Sequence, residues 1–208
     1  MRFEALLGLV RQEPVFETGL LLAGDIDPLD VQKQLSRWAA RGRVHQLRRG
    51  LYALAPPFQK VRPHPFLVAN RLVRGSYISL QSALAYRGVI PEYVPVTTSV
   101  TNGRPGRWET PLGVFEFRHI HPDLFEGYRN EAVVPEQEAL VATAAKALID
   151  LVYFVPGADA REYLDQLRLS NLDPAELLEA LETPAVAGRP KLRRAIRRLQ
   201  DLAAEAER

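Results

Sequence analysis

Residues 27–54 read DPLDVQKQLSRWAARGRVHQLRRGLYAL, and this stretch decides how the N-terminal part of the chain is read. Asp27 suits a helix N-cap, and Pro28 suits the first helical turn, where its missing N–H costs nothing. Val31, Leu35, Trp38 and Ala39 then recur at helical spacing, which predicts a helix from Pro28 to Arg41 with one apolar face, closed by Gly42. The opposite face carries Gln32, Lys33, Gln34, Ser36 and Arg37. Beyond Gly42, two short apolar runs, Arg43–Leu47 and Leu51–Leu54, flank Arg48-Arg49-Gly50. Apolar runs around a tight turn that ends in glycine predict a β-hairpin.

Upstream, Phe3, Leu6, Leu7 and Val10 predict a helix over Arg2–Gln12, ended by Pro14. A short extended piece at Val15-Phe16 comes next. A second helix is expected over Thr18–Ala23, closed by Gly24, with Asp25-Ile26-Asp27 as the turn into the third. Helix, helix, helix, hairpin is the order of a winged helix-turn-helix. Downstream, four prolines between residues 55 and 65 mark a linker. The chain therefore divides into a winged helix-turn-helix at 1–55, a linker at 56–65, and a mixed α/β domain at 66–208 that ends in helices, for an overall α+β class.

Within that second domain, helices are expected at Phe66–Val73, from Ser79 as cap to Arg87, at Ala144–Phe154 capped by Thr143, and at Arg161–Leu169. Another opens at the capping box Asp173-Pro174-Ala175-Glu176, and a last one starts at Pro190 with Leu192, Ile196, Leu199 and Ala203 as its buried stripe. Strands are expected at Tyr77-Ile78, Val96–Thr101 and Val114–Arg118.

A net charge of only +2 hides an uneven distribution. From Pro28 to Arg62, eight basic residues face one acid, Asp30. A duplex offers dense phosphate charge and a major groove wide enough for one helix. Gln32, Lys33, Gln34, Ser36 and Arg37 are side chains that reach base edges: Arg and Lys suit guanine, and Gln suits adenine. Arg41 and Arg43, near the helix end, are placed for phosphates, and Arg48 and Arg49 at the wing tip for phosphates or for the minor groove. Trp38 shares the stripe of Val31 and Leu35 and reads as core. The expected partner is double-stranded DNA. The alternative reading of the same face is a solvated surface on a protein-interaction module.

The composition removes several other functions. With no cysteine, the chain has no disulfide, thiol nucleophile or Cys-based zinc site. His119 and His121 are the one closely spaced histidine pair, without an HExxH-like helix, and read as a strand end. No signal peptide is read at the N-terminus, and no run approaches the roughly 18 apolar residues of a membrane span; a cytoplasmic location is expected. Tyr77, Ser79 and Ser82 carry hydroxyls, but no G-x-S-x-G elbow accompanies them, so Ser79 reads as a cap and Ser82 as a packing residue. Glu109, Glu116, Asp123 and Lys146 are the residues a metal nuclease would have to assemble, and their spacing fits no acid-x-Lys motif. The chain is read as a non-enzyme without a cofactor or metal.

The chain also resembles a known family, the AbiEi-type antitoxins. Residues 2–54 look like that family's N-terminal winged helix, with Gly42-Arg43-Val44 through Leu47-Arg48-Arg49-Gly50-Leu51-Tyr52-Ala53-Leu54 similar to its wing. Tyr77-Ile78-Ser79-Leu80-Gln81-Ser82-Ala83-Leu84 with Gly88-Val89-Ile90-Pro91-Glu92 resembles a second block, and Thr110–Phe115 resembles a hairpin. Ala142-Thr143-Ala144-Ala145-Lys146-Ala147-Leu148-Ile149-Asp150-Leu151 resembles the start of a helix in which the family has Pro-Glu where this chain has Ala144 and Ala145. The resemblance implies a cytoplasmic antitoxin that represses its own operon at promoter inverted repeats. It also implies that the chain counteracts a cognate nucleotidyltransferase-like toxin, with or without a stable complex.

One further cationic run, Arg189, Lys191, Arg193, Arg194, Arg197 and Arg198, contains no acid between residues 189 and 198. It reads either as a solvated face opposite the apolar stripe or as a second surface for DNA or an acidic partner.

Overall fold

The computed structural model describes residues 1–22, 27–91 and 94–206. Among them the chain is α+β, with one three-stranded and one six-stranded sheet. The expected turn over Gly24, Asp25 and Ile26, the Ala23 end of the second helix, and Glu92 lie outside the described residues, as does the Ala203 side chain.

Helix α1 (Phe3–Val10) buries Phe3, Leu6 and Val10, the stripe that its spacing predicts. Strand β1 (Phe16–Glu17) leads into Thr18–Leu22, which takes the tighter 3-10 form rather than an α-helix. Helix α2 (Pro28–Ala40) starts as its sequence dictates: the Asp27 carboxylate accepts from the Leu29 N–H at 2.9 Å and Pro28 occupies the first turn. Gly42, at φ +65°, swings the chain into strand β2 (Val44–Arg48), and Gly50, at φ +81°, turns it back into β3 (Leu51–Leu54). The sheet order is β1-β3-β2, antiparallel throughout, with Phe16 opposite Tyr52 and Val44 opposite Leu54.

This small sheet is covered on both faces. Phe16, Val44, Tyr52 and Leu54 pack on Phe3, Leu6, Leu35 and Trp38 of α1 and α2. Leu47, Leu51 and Ala53, with Val15, join the larger core beyond it, together with Leu67 and Leu72 of α3 (Pro65–Leu72). All four residues of β3 are buried as a result. Each leucine so buried contributes about 1.5–3 kcal/mol relative to exposure, so the sheet is anchored to the second part of the chain.

The six-stranded sheet runs β6-β7-β5-β4-β9-β8, from β4 (Ser76–Ile78), β5 (Val96–Thr101), β6 (Gly106–Thr110), β7 (Gly113–His119), β8 (Tyr128–Val134) and β9 (Gln137–Ala142). The β4–β9 and β5–β7 pairs are parallel and the rest antiparallel. Helix α4 (Leu80–Tyr86) packs on β5 and on α5 (Ala144–Phe154). A layer of α7 (Pro174–Glu182), α8 (Pro184–Ala187) and α9 (Pro190–Ala206) then closes over α5. Wrapped in this way, α5 is buried from Ala144 to Val152, which explains its apolar composition all round. Strands β6, β8 and β9 and the short helix α8 are additions to the sequence reading. Strands β6 and β8 are edges, where polar residues such as Arg107, Asn130 and Glu131 blur the alternation that marks a half-buried strand. The expected helix over Arg161–Leu169 is helical only at α6 (Arg161–Leu164), with a 3-10 turn at Leu169–Asn171.

One polar cluster sits inside this core. Asp150 on α5 is fully buried and accepts from the Tyr77 hydroxyl at 2.9 Å and the Ser79 hydroxyl at 2.6 Å. Its other oxygen meets the ammonium of Lys146, one helical turn away, which also donates to the Leu124 carbonyl at 2.6 Å. Burial pushes the Asp150 carboxyl up, opposed by Lys146, Ser79 and Tyr77. Burial, then the Asp150 charge, pushes the Tyr77 phenol up and keeps it a donor. Ser79 occupies the N-cap position of α4 but makes no capping bond with its side chain, a correction to its expected role; its hydroxyl turns to Asp150 instead. Ser82 likewise does more than fill space, donating to the Val96 carbonyl and accepting from the Thr98 N–H at 2.8 Å.

Asp150→Ala strands a buried ammonium and is expected to lower the unfolding free energy by about 3–5 kcal/mol in urea melts. The Lys146→Met/Asp150→Leu pair should recover most of that loss, and a double variant as unstable as the single one would contradict this account. His64 caps α3 by accepting from the Phe66 N–H through Nδ1 at 3.2 Å, which requires a neutral ring. Burial holds its imidazole below the ordinary value of 6.5. Stability from this site is therefore complete above that pH and declines as the pH falls through the folded value, because the unfolded chain takes up the proton first. His64→Asn keeps an acceptor at the cap. It is expected to flatten the change in urea midpoint between about pH 7.5 and about pH 5.5, and an unaltered slope would refute the assignment.

Candidate nucleic-acid interface

The outward face of α2 is set by its inward one. With Val31, Leu35 and Trp38 buried, helical periodicity turns Gln32, Lys33, Ser36 and Arg37 to solvent, and all four are exposed. Gln34 is half-buried at the margin of that face. The ammonium of Lys33 lies 3.8 Å from Asp30, but both side chains are about two-thirds exposed, so the pair holds the lysine only weakly. Trp38 is core, edge-to-face with Phe3 at 5.3 Å.

The remaining arginines of this region differ in freedom. Arg41 and Arg49 are exposed, at the end of α2 and in the β2–β3 turn. Arg43 is half-buried, with its guanidinium 4.9 Å over the Phe3 ring. Arg48 points across the seam to the second part of the chain, donating to the Arg71 carbonyl at 3.2 Å and to the Arg49 carbonyl at 3.1 Å. Beside it, Glu17 on β1 accepts from Arg74 with both oxygens at 2.6 Å. Arg71 and Arg74 played no part in the reading of the α2–hairpin segment. They lie beyond the linker, and nothing in their local sequence shows that α3 ends beside the hairpin.

The basic run on α9 divides in two. Lys191 donates to the carbonyls of Val152 and Val155 at 2.6 and 3.3 Å, and so caps the C-terminal end of α5. Arg198 donates to the Asp159 carbonyl at 2.7 Å, and Arg189 to that of Ala185. Arg193, Arg194 and Arg197 are exposed, opposite buried Leu192, Ala195, Ile196 and Leu199.

The residues that a nuclease would have to assemble each have other partners. Glu109 pairs with Arg107 at 3.2 Å, Glu116 with Arg118 at 2.9 Å, Asp123 with His121 at 3.3 Å, and Lys146 with Asp150. Among the described residues no three His, Asp or Glu side chains are grouped to hold a metal ion. His119 is bonded through Nδ1 to the Gly103 carbonyl, which fits a strand end. A cleft beside the start of α5 is lined by Tyr128, Thr143, Lys146 and Glu176, and Glu176 is paired there with Arg129 at 3.2 Å. No helix among the described residues is long and apolar enough to cross a membrane.

No protein-family model matches the chain, and no curated protein matches it in sequence.

Proposed function

We propose that residues 1–55 form a winged helix-turn-helix, and that the chain is a DNA-binding repressor of the antitoxin kind. In this reading α2 enters the major groove of duplex DNA and the β2–β3 hairpin is the wing. The observation that carries it is the outward face of α2. Gln32, Lys33, Ser36 and Arg37 are all exposed and fall within roughly 140° of helical arc, a width that one groove can contact. They stand on a helix whose other face is locked into a core, so the groups that would reach base edges are held in position. Arg41, Arg43 and Arg49 are then the flanking phosphate contacts, with the sequence read by α2 alone.

The antitoxin part of the reading rests on the resemblance carried by the wing, by the Tyr77–Leu84 block and by the Ala142–Leu151 block. It comprises repression of the chain's own operon at inverted repeats, two copies each reading a half-site. It also includes action against a nucleotidyltransferase-like toxin. Lys146 and Asp150, the Lys and Asp of the third block, have a structural role in the core, which leaves the exposed surfaces for partners.

The test is charge reversal on the recognition face. Lys33→Glu/Arg37→Glu is expected to weaken binding to the DNA upstream of the chain's own reading frame by about a hundredfold or more, since two attractive contacts become repulsive. A promoter fusion should lose repression in parallel, with an unchanged thermal midpoint. Wild-type affinity in the double variant would remove α2 from the interface.

A further inference from the structure

The β2–β3 turn does not stand alone in solvent. Arg48, the last residue of β2, and Arg74, which belongs to the second part of the chain in the bend between α3 and β4, act on the same carboxylate. Their meeting point is Glu17. It lies opposite Leu51 in the β1–β3 pair, on the sheet face turned toward α3. Its carboxyl is held below the usual range, first by the hydrogen bond from Arg74 and then by the charges of Arg74, Arg48 and Arg71. Several guanidinium groups thus act on one carboxylate. Arg71 also borders a cleft with Glu13, Glu136 and Glu138.

Arg74 differs from its neighbours. Its side chain is 70% exposed, and it grips both oxygens of Glu17 with a single nitrogen, Nη2. A guanidinium carries five N–H donors in a planar fork. Nε and Nη1 are therefore left for a further acceptor on this exposed side chain. Free fork donors on an exposed guanidinium, with the charges of Arg48 and Arg71 close by, suit a phosphate oxygen better than they suit any neutral ligand.

We infer that Arg74 is a phosphate-binding residue for the DNA backbone, adding to Arg49 of the β2–β3 turn a contact that spans the seam between the two parts of the chain. Glu17 both orients the Arg74 guanidinium and opposes the incoming phosphate. The DNA-contacting surface thus extends past residue 55 into the second part of the chain, which would keep the wing and the second part in one fixed orientation on the duplex. The inference rests on the DNA-binding reading of α2 but is separable from it.

Two single substitutions in the full chain distinguish a phosphate contact from a plain ion pair. The probe is a fluorescein-labelled mixed-sequence duplex of about 30 base pairs, titrated by anisotropy over a range of KCl concentrations, since phosphate contacts are independent of sequence. Arg74→Ala is expected to flatten the slope of log affinity against log salt by about 0.9, one phosphate's share, and to weaken binding roughly tenfold near 0.1 M salt. Glu17→Gln breaks the same pair from the other side and is expected to tighten binding. If the pair served only to join the two parts, both variants would shift affinity in the same direction, and that result overturns the inference. So does an unchanged slope in Arg74→Ala while Lys33→Glu/Arg37→Glu still abolishes binding; α2 then keeps its role and the seam contact alone is lost. A wild-type chain that binds neither this duplex nor its own upstream DNA at low salt removes both.

Discussion

The double-sided burial of the β1-β3-β2 sheet is the constraint on which the rest of the molecule depends. A three-stranded sheet needs one packed hydrophobic face to be stable, and this one has two. Here Phe16, Val44, Tyr52 and Leu54 seal one face against α1 and α2, while Leu47, Leu51 and Ala53 seal the other against the core that holds α3. The hairpin is therefore a fixed part of the molecule. Everything that it carries, including the Arg48–Gly50 turn, is held relative to α2 on one side and to Arg74 on the other. The geometry of any surface built from these pieces comes from apolar packing.

The second part of the chain is organised around an opposite device, a polar cluster in an apolar setting. Asp150 on α5 collects donors from β4, from the residue just before α4, and from Lys146 on its own helix. Alternative seatings of α5 would part the Lys146–Asp150 pair from Tyr77, Ser79 and the Leu124 carbonyl and leave a buried ion pair with its remaining hydrogen bonds unmade, which costs several kcal/mol. The cluster thus fixes how the helix lies across the sheet, something that its nearly uniform apolar surface would not do. Tyr77 stacks on Tyr128 at 4.6 Å and extends the same order to the edge strand β8.

Positive charge in this protein serves two physical ends. Some cations close carbonyl groups: Lys191 at the end of α5, Arg198 at Asp159, Arg48 at Arg71. Others, such as Lys33, Arg37, Arg41 and Arg49, are exposed on the surface. The members of the first group each hold one element against another. The second contributes little to folding, because surface cations are hydrated and screened. That distinction separates scaffold from candidate interface on α9 as well as on α2.

The amino-acid sequence by itself determined the local elements whose causes are local. Asp27-Pro28 starts α2, Gly42 ends it, Gly50 turns the hairpin, Thr143 caps α5 and Asp173 caps α7, each through a bond or a dihedral angle spanning a few residues. The exposed face of α2 was legible for the same reason, since 3.6-residue periodicity assigns inside and outside together. The edge strands β6 and β8 were not, because at an edge the pattern of alternation is diluted by polar side chains. The role of Ser79 was not either. A hydroxyl at a helix start reads as a cap until Asp150, 71 positions away, is seen to take it. The same holds for Glu17 and Arg74, 57 positions apart, and for the burial of both faces of β3. These depend on which elements lie side by side, and only the tertiary structure decided that, through the packing of residues that no local pattern connects.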